Sequence, residues 1–244
     1  MKSRSIPLRE VYVWELPVRM YHWVNMFCII ALCITGYVIG NPPAFMKATE
    51  ASLNYWFGTV RFTHFVAAFV FFFNFIYRLY WGFAGNEFAR WSNFIPLKRS
   101  QRKEIIDVIK VDMLQVKNER GFDSIGHNSL ASFIYFFTFL LFLMQCLTGF
   151  GMYAAMSKSL LPHLFSWIVP LMGGDMHVRQ LHHVLMWGFI LFAMVHVYLV
   201  FYHDYIERRG VTSSMIGGWK FVEEDIAKMA ENDNGECINM TETK

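Results

Sequence analysis

Leu181–His203 reads LHHVLMWGFILFAMVHVYLVFYH, and the fold of the chain turns on this stretch. Its apolar length is sufficient to cross a bilayer as a helix. Two of its histidines, His182 and His196, lie fourteen residues apart. At about 100° per residue, their imidazoles fall within about 40° of one another on one helix face, about 21 Å apart along the axis. That separation is most of the apolar thickness of a membrane. A helix that offers one imidazole toward each leaflet is suited to hold two cofactors stacked across the bilayer. Neutral imidazole is a standard axial ligand of haem iron.

The composition agrees with a membrane setting. Of 244 residues, 55% are hydrophobic and 18% aromatic, while only 17% are charged, below the usual quarter for soluble domains. A net charge of +3 and the lack of a basic stripe interleaved with aromatics speak against nucleic acid as a partner. The N-terminus, MKSRSIPLRE, is polar for too long to be a cleavable leader, and the first apolar run is a full span. Cys28, Cys33 and Cys146 fall in predicted membrane helices and Cys237 in the tail. They form neither a disulfide framework nor an iron–sulfur or c-type haem motif.

Four spans are predicted, at about residues 18–39, 59–83, 129–153 and 181–203, giving an all-α membrane protein built as a four-helix bundle. Pro17 suits the first turn of the first span, and Gly40-Asn41-Pro42-Pro43 stops it. Between spans two and three, Ile105, Ile106, Ile109, Met113, Leu114 and Val116 recur among charges as an amphipathic surface helix. The apolar piece Leu164–Met172 is too short to span and reads as interfacial. Residues 1–206 then form one domain, and 207–244 form a polar, loosely ordered tail. Lysines and arginines crowd the N-terminal arm, the segment between spans two and three, and the early tail. The positive-inside rule therefore places both termini in the cytoplasm.

With that topology, His22 and His196 lie at the cytoplasmic end of their helices, and His64 and His182 at the outer end. The histidines thus form two depth-matched pairs, His22 with His196 and His64 with His182, and two six-coordinate b haems, one per leaflet, follow. Six-coordinate iron carries electrons and leaves no open site. A rival reading lets each histidine hydrogen-bond a neighbouring helix. His183 competes with His182 as ligand, although it stands roughly 60° off the stripe that holds His196. Arg61 and Arg179 are placed to meet the propionates of the outer haem, and Arg19 and Arg78 those of the inner one; equally, arginines there can snorkel to lipid phosphates. A short internal repeat joins Cys33-Ile34-Thr35-Gly36-Tyr37 to Cys146-Leu147-Thr148-Gly149-Phe150, and Arg61-x-x-His64 to Arg179-x-x-His182. Its glycines would let a flat macrocycle or a helix approach closely.

Several segments resemble the b-type cytochrome subunit of membrane-bound nickel–iron uptake hydrogenases. They are Pro17-Val18-Arg19-Met20-Tyr21-His22-Trp23, Thr35-Gly36-Tyr37-Val38-Ile39-Gly40, Arg61-Phe62-Thr63-His64-Phe65, Arg78–Asn86, Ile125-Gly126-His127-Asn128 and His196-Val197-Tyr198. They occur in the same order over about residues 11–220. The resemblance is weaker to the related gamma subunit of formate dehydrogenases, which differs at the Gly-His-Asn motif. It implies an anchor in the bacterial cytoplasmic membrane for a small iron–sulfur and a large nickel–iron subunit on the outer face. It also implies electron transfer through the two haems to a quinone, making the chain the electron-transfer subunit of an oxidoreductase complex with no catalytic residue assigned. By position, the family's haem histidines fall on His22, His64, His182 and His196; the sequence departs at His182-His183, where the family commonly has His followed by Arg. His127 and Asn128 can hydrogen-bond a quinone carbonyl, or serve as a surface residue and a helix cap. Two other functions compete: a di-haem cytochrome of another respiratory complex or a free-standing quinone-linked one, and a haem-free helical transporter or assembly protein.

Overall fold

The structure, a computed structural model, describes residues 8–44, 55–91, 129–207 and 210–224. It is dominated by four long apolar helices: α1 (Leu16–Gly40), α2 (Trp56–Ala84), α3 (Ser129–Ala154) and, after two short turns of helix, α4 (Leu160–His163) and α5 (Ile168–Leu171), the longest, α6 (Asp175–Glu207). At 25, 29, 26 and 33 residues, each exceeds the roughly 20 that a bilayer core requires. Their large outward side chains, such as Phe27, Ile34, Phe73, Trp187 and Leu191, are exposed. Such a surface is at home in lipid, where the helix satisfies every backbone polar group internally.

The predicted spans match α1, α2 and α3 within a few residues, but the fourth helix starts six residues before the predicted Leu181. Asp175, His177, Arg179 and Gln180 interrupt the apolar pattern there, so hydropathy alone places the start too late. Gly173 and Gly174, at φ of 82° and 107°, break the chain after α5. Asp175 then sits in the first turn of α6, where a carboxylate favours the positive end of the helix dipole. Leu160–Leu171 is apolar and helical but too short to cross.

The tail also departs from the loose order expected of it. Residues 211–217 form α7 (Val211–Gly217), and β2 (Trp219–Glu223) pairs antiparallel with β1 (Leu8–Tyr12), with Leu8 opposite Glu223 and Tyr12 opposite Trp219. Gly218 makes this possible: it stands at φ 90°, and a Cβ there would fall 2.5 Å from Tyr12. The amphipathic segment 105–116 lies outside the described residues.

The chain divides into two compact units. The first comprises Met1–Met20, Leu79–Phe137 and Val197–Lys244. Its core gathers Val13, Trp14, Val18, Phe88, Ala89 and Val222. Glu15 braces it: one carboxylate oxygen accepts from Trp81 Nε1 at 3.0 Å and from the Asn86 backbone at 2.9 Å. The second unit comprises Tyr21–Arg78 and Thr138–His196. Its centre is aromatic. Phe71 and Phe75, one turn apart on α2, stack on Phe142 of α3 at 3.7 and 5.1 Å, and Phe142 meets Phe189 of α6 edge-on at 5.7 Å. The phenylalanine run of α2 is therefore split by the helical period, with Phe71 and Phe75 buried and Phe73 facing out. Asn74 of α2 ties to α1 by donating to Asn25 Oδ1 at 2.8 Å and to the Tyr21 carbonyl at 3.0 Å.

Candidate functional site

The four histidines singled out by spacing all lie in the second unit. His22 of α1 and His196 of α6 come together with ring centroids 6.2 Å apart. A first-row metal–imidazole bond of about 2 Å, plus about 1 Å from nitrogen to ring centre, on each side gives about 6 Å for two rings flanking one metal atom. Trp23 meets His22 edge-on at 5.4 Å, and Phe192 stacks on His196 at 5.4 Å. His22 Nδ1 is buried without a hydrogen-bond partner among the described residues.

His64 of α2 and His182 of α6 line a single cavity of about 740 Å³, within the range of small-molecule and cofactor pockets. Its walls are mostly apolar, with Ile29, Leu32, Phe69, Phe71 and Phe189 among them, and it also contains Arg61 and Arg179. Such a lining offers an apolar slot with cationic groups, which suits a flat macrocycle that carries carboxylates.

Each of these two histidines is held by the same device. Thr35 Oγ1 lies 2.6 Å from the Ala31 carbonyl one turn back and 2.9 Å from His64 Nδ1. Thr148 Oγ1 lies 2.7 Å from the Met144 carbonyl and 2.8 Å from His182 Nδ1. A carbonyl only accepts, and a hydroxyl has one proton to give. The short carbonyl contacts take that proton, so each threonine oxygen accepts from Nδ1–H of the histidine. This fixes the tautomer by hydrogen-bond logic and leaves the Nε2 lone pair free to bind a metal. At His182, the Gln145 amide nitrogen stands 3.1 Å from Nε2. The Thr148 bond already assigns the Nδ1 proton, and with that tautomer the Gln145 amide faces the nitrogen left to bind the metal.

The neighbouring glycines complete the cradle. A Cβ on Gly36 would fall 3.3 Å from His64 Cε1, and one on Gly149 3.1 Å from His182 Cε1. The glycines thus make room for the imidazole rings themselves. The repeated Thr-Gly pair of the sequence points to close approach at its glycines; the structure adds the threonine of each pair, and Gln145, as contacts of the histidines.

The remaining residues fall as follows. His183 also lines the cavity, with its ring packed against Gly40, where a Cβ would come within 2.9 Å. Arg61 donates to Met156 Sδ at 3.1 Å and lies 5.9 Å from the Phe65 ring. Arg179 pairs with Asp175 at 2.6 Å on an exposed surface. Arg78 is buried, 5.9 Å from the Tyr21 ring. Arg19, in the first unit, donates to the Ile216 carbonyl and to Tyr12 Oη. His177 bonds the Gly173 carbonyl. His127 and Asn128 lie outside the described residues.

Comparison with known proteins gives a consistent set. Residues 13–218 match the family described as prokaryotic cytochrome b561. The chain is 38% identical over 218 residues to a probable Ni/Fe-hydrogenase B-type cytochrome subunit of Cupriavidus necator, covering 87% of this chain and 88% of that one. A protein of the same description from Azotobacter vinelandii is 38% identical over 221 residues, covering 88% and 90%. The probable Ni/Fe-hydrogenase 1 B-type cytochrome subunit of Escherichia coli K12 is 30% identical over 225 residues, covering 90% and 94%.

Proposed function

This chain belongs to the prokaryotic cytochrome b561 family, and on that premise we propose that it anchors a nickel–iron hydrogenase to the membrane and passes its electrons through two b haems to a quinone. It is an integral membrane cytochrome b with four helices long enough to span. The relatives' descriptions as hydrogenase B-type cytochrome subunits support the partner. The observation that supports the two-haem reading is that His22 and His196 meet ring to ring while His64 and His182 line a separate cavity.

His64 and His182 are the proposed axial ligands of one haem, and His22 and His196 those of the other. The haems, when bound, supply reversible one-electron chemistry. Two imidazoles on each iron would keep small molecules off it. The apolar cavity walls exclude water, Arg61 and Arg179 are the proposed propionate partners of the first haem, and Arg78 is that of the second. His182 is preferred over His183 because its Nδ1 is fixed as His64 Nδ1 is, whereas the His183 ring packs on Gly40.

The loop charges support an orientation with both termini in the cytoplasm of a bacterial cell. The His64–His182 haem is then the outer one, facing the hydrogenase's iron–sulfur and nickel–iron subunits, and the His22–His196 haem is the inner one. His127 and Asn128, just before α3, are the proposed quinone contacts.

A reduced-minus-oxidised visible spectrum of haem-replete protein, with haem quantified per chain, tests the reading. Two b haems per chain are expected, together with co-purification of a nickel–iron protein. Absence of a b-type band rejects electron transfer by this chain, and one haem per chain rejects the two-site arrangement. Two haems with a formate-oxidising partner instead would reassign the complex.

A further inference from the structure

We infer that Thr35 and Thr148 are positioning residues for the haem proposed between His64 and His182, and that they hold its reduction potential below that of the haem proposed between His22 and His196. The inference rests on that reading of the four histidines and adds what it does not contain, a difference between the two sites built into the chain.

Both threonines are buried in the bundle, at 9% and 0% exposure, and each spends its one proton on a helix carbonyl. Each oxygen is therefore a fixed acceptor for a ring N–H. A histidine that donates from Nδ1 is oriented, is confined to the tautomer that presents Nε2, and becomes a more basic ligand. A more electron-rich ligand favours ferric over ferrous iron, which lowers the potential. The same device acts on both histidines of the pair, from α1 on one side and α3 on the other.

The second pair is built without it. Among the described residues, His22 Nδ1 is buried with no hydrogen-bond partner, and the contacts of His196 are to rings, Phe192 and His22. Its ligands therefore gain no electron density through an Nδ1–H donation to a threonine. In the proposed orientation, the lower-potential site then stands where electrons enter and the higher-potential site where they leave. The transfer across the membrane runs downhill.

The test is a redox titration of the full-length chain in its native membrane, followed at the b-type absorption band, with haem counted per chain. Valine matches the shape of threonine but lacks the hydroxyl; serine keeps it. For Thr148→Val or Thr35→Val, the lower of two potentials should rise by on the order of tenfold in ferric–ferrous preference, about 59 mV for one electron. The upper potential should stay put. Thr148→Ser should titrate as the unsubstituted protein does. Loss of one haem in Thr148→Val with retention in Thr148→Ser also supports the inference. Unchanged potentials in the valine variants at two haems per chain overturn it, as does a serine variant that shifts or loses haem like the valine one. His64→Ala and His182→Ala separate this outcome from failure of the underlying reading. If they keep two haems, the ligand assignment falls; if they lose one while the valine variants titrate normally, only the role of the threonines falls.

Discussion

His64 and His182 each stand against a threonine–glycine pair on a neighbouring helix, whereas His22 and His196 stand against aromatic rings and each other. The first arrangement is directional: a hydroxyl takes the Nδ1 proton, and a missing Cβ leaves space for the ring. The second is packed: Trp23 edge-on and Phe192 face-on restrict the imidazoles by shape. A hydrogen bond sets which nitrogen points where, and stacking sets only the plane. One bundle thus contains two ways to hold an imidazole, and only one of them reaches into the electronic character of the ring.

The comparison breaks most sharply at the histidines themselves. His64→Ala or His182→Ala is expected to lower the haem content from two per chain to one and to abolish hydrogen-dependent quinone reduction. His22→Ala or His196→Ala should also leave one haem, the low-potential one, and likewise stop quinone reduction. The two classes are told apart by which potential survives in a redox titration. If members of different pairs, such as His22 and His64, removed the same haem, the pairing would be wrong.

Next in size come the glycines that clear space for the rings. Gly149→Val and Gly36→Val place branched carbon where His182 and His64 now stand, with clearances of 3.1 and 3.3 Å already tight for a single Cβ. Overpacking of this kind costs about 1–3 kcal/mol, so haem affinity at that site should fall by roughly 5- to 150-fold, Gly149→Val being the more severe. Gly58→Val is the control, because a Cβ there meets nothing within 4 Å; haem content should be unchanged. Equal losses at all three positions would show that helix destabilisation, and not ring clearance, governs the effect.

How much of this could be read beforehand follows from where the information resides. Span number and histidine spacing are periodic properties of single helices, so hydropathy and the helical repeat give α1 to α3 closely and place all four imidazoles on spanning segments. The start of α6 is hidden because Asp175, His177, Arg179 and Gln180 continue a helix that hydropathy ends. The strand pair β1–β2 depends on residues some two hundred positions apart, and no local pattern in either five-residue strand announces its partner. Thr35 and Thr148 illustrate a different limit. A hydroxyl inside an apolar helix ordinarily back-bonds one turn, so its second bond, across to another helix, exists only once the helices are packed.

A smaller effect is expected at His183. Its ring fills the space beside Gly40 and shares the cavity with His64 and His182. His183→Ala should keep two haems with unshifted potentials while lowering thermal stability by about 1–2 kcal/mol through the vacated space. Loss of a haem in this variant, with His182→Ala retaining both, would transfer the ligand role to His183. It would also remove the symmetry between the Thr35–His64 and Thr148–His182 pairs.

The mildest substitution is informative because so little holds its side chain. Arg179 pairs with Asp175 across one helical turn at 2.6 Å, with both side chains more than half exposed at 59% and 52%. Exposed pairs of this kind are worth about 0–1 kcal/mol, and Asp175 keeps its favourable place in the first turn of α6 without its partner. Arg179→Gln should therefore shift the melting temperature of the haem-free protein very little. Arg179 also lines the cavity of His64 and His182, and a propionate bound there would give the guanidinium a second, bidentate partner. The loss should then become larger in haem-loaded protein than in haem-free protein, and absent from variants in which the His64–His182 site is emptied. An equal small shift with and without haem would confine Arg179 to its ion pair and leave Arg61 as the cavity's proposed propionate partner.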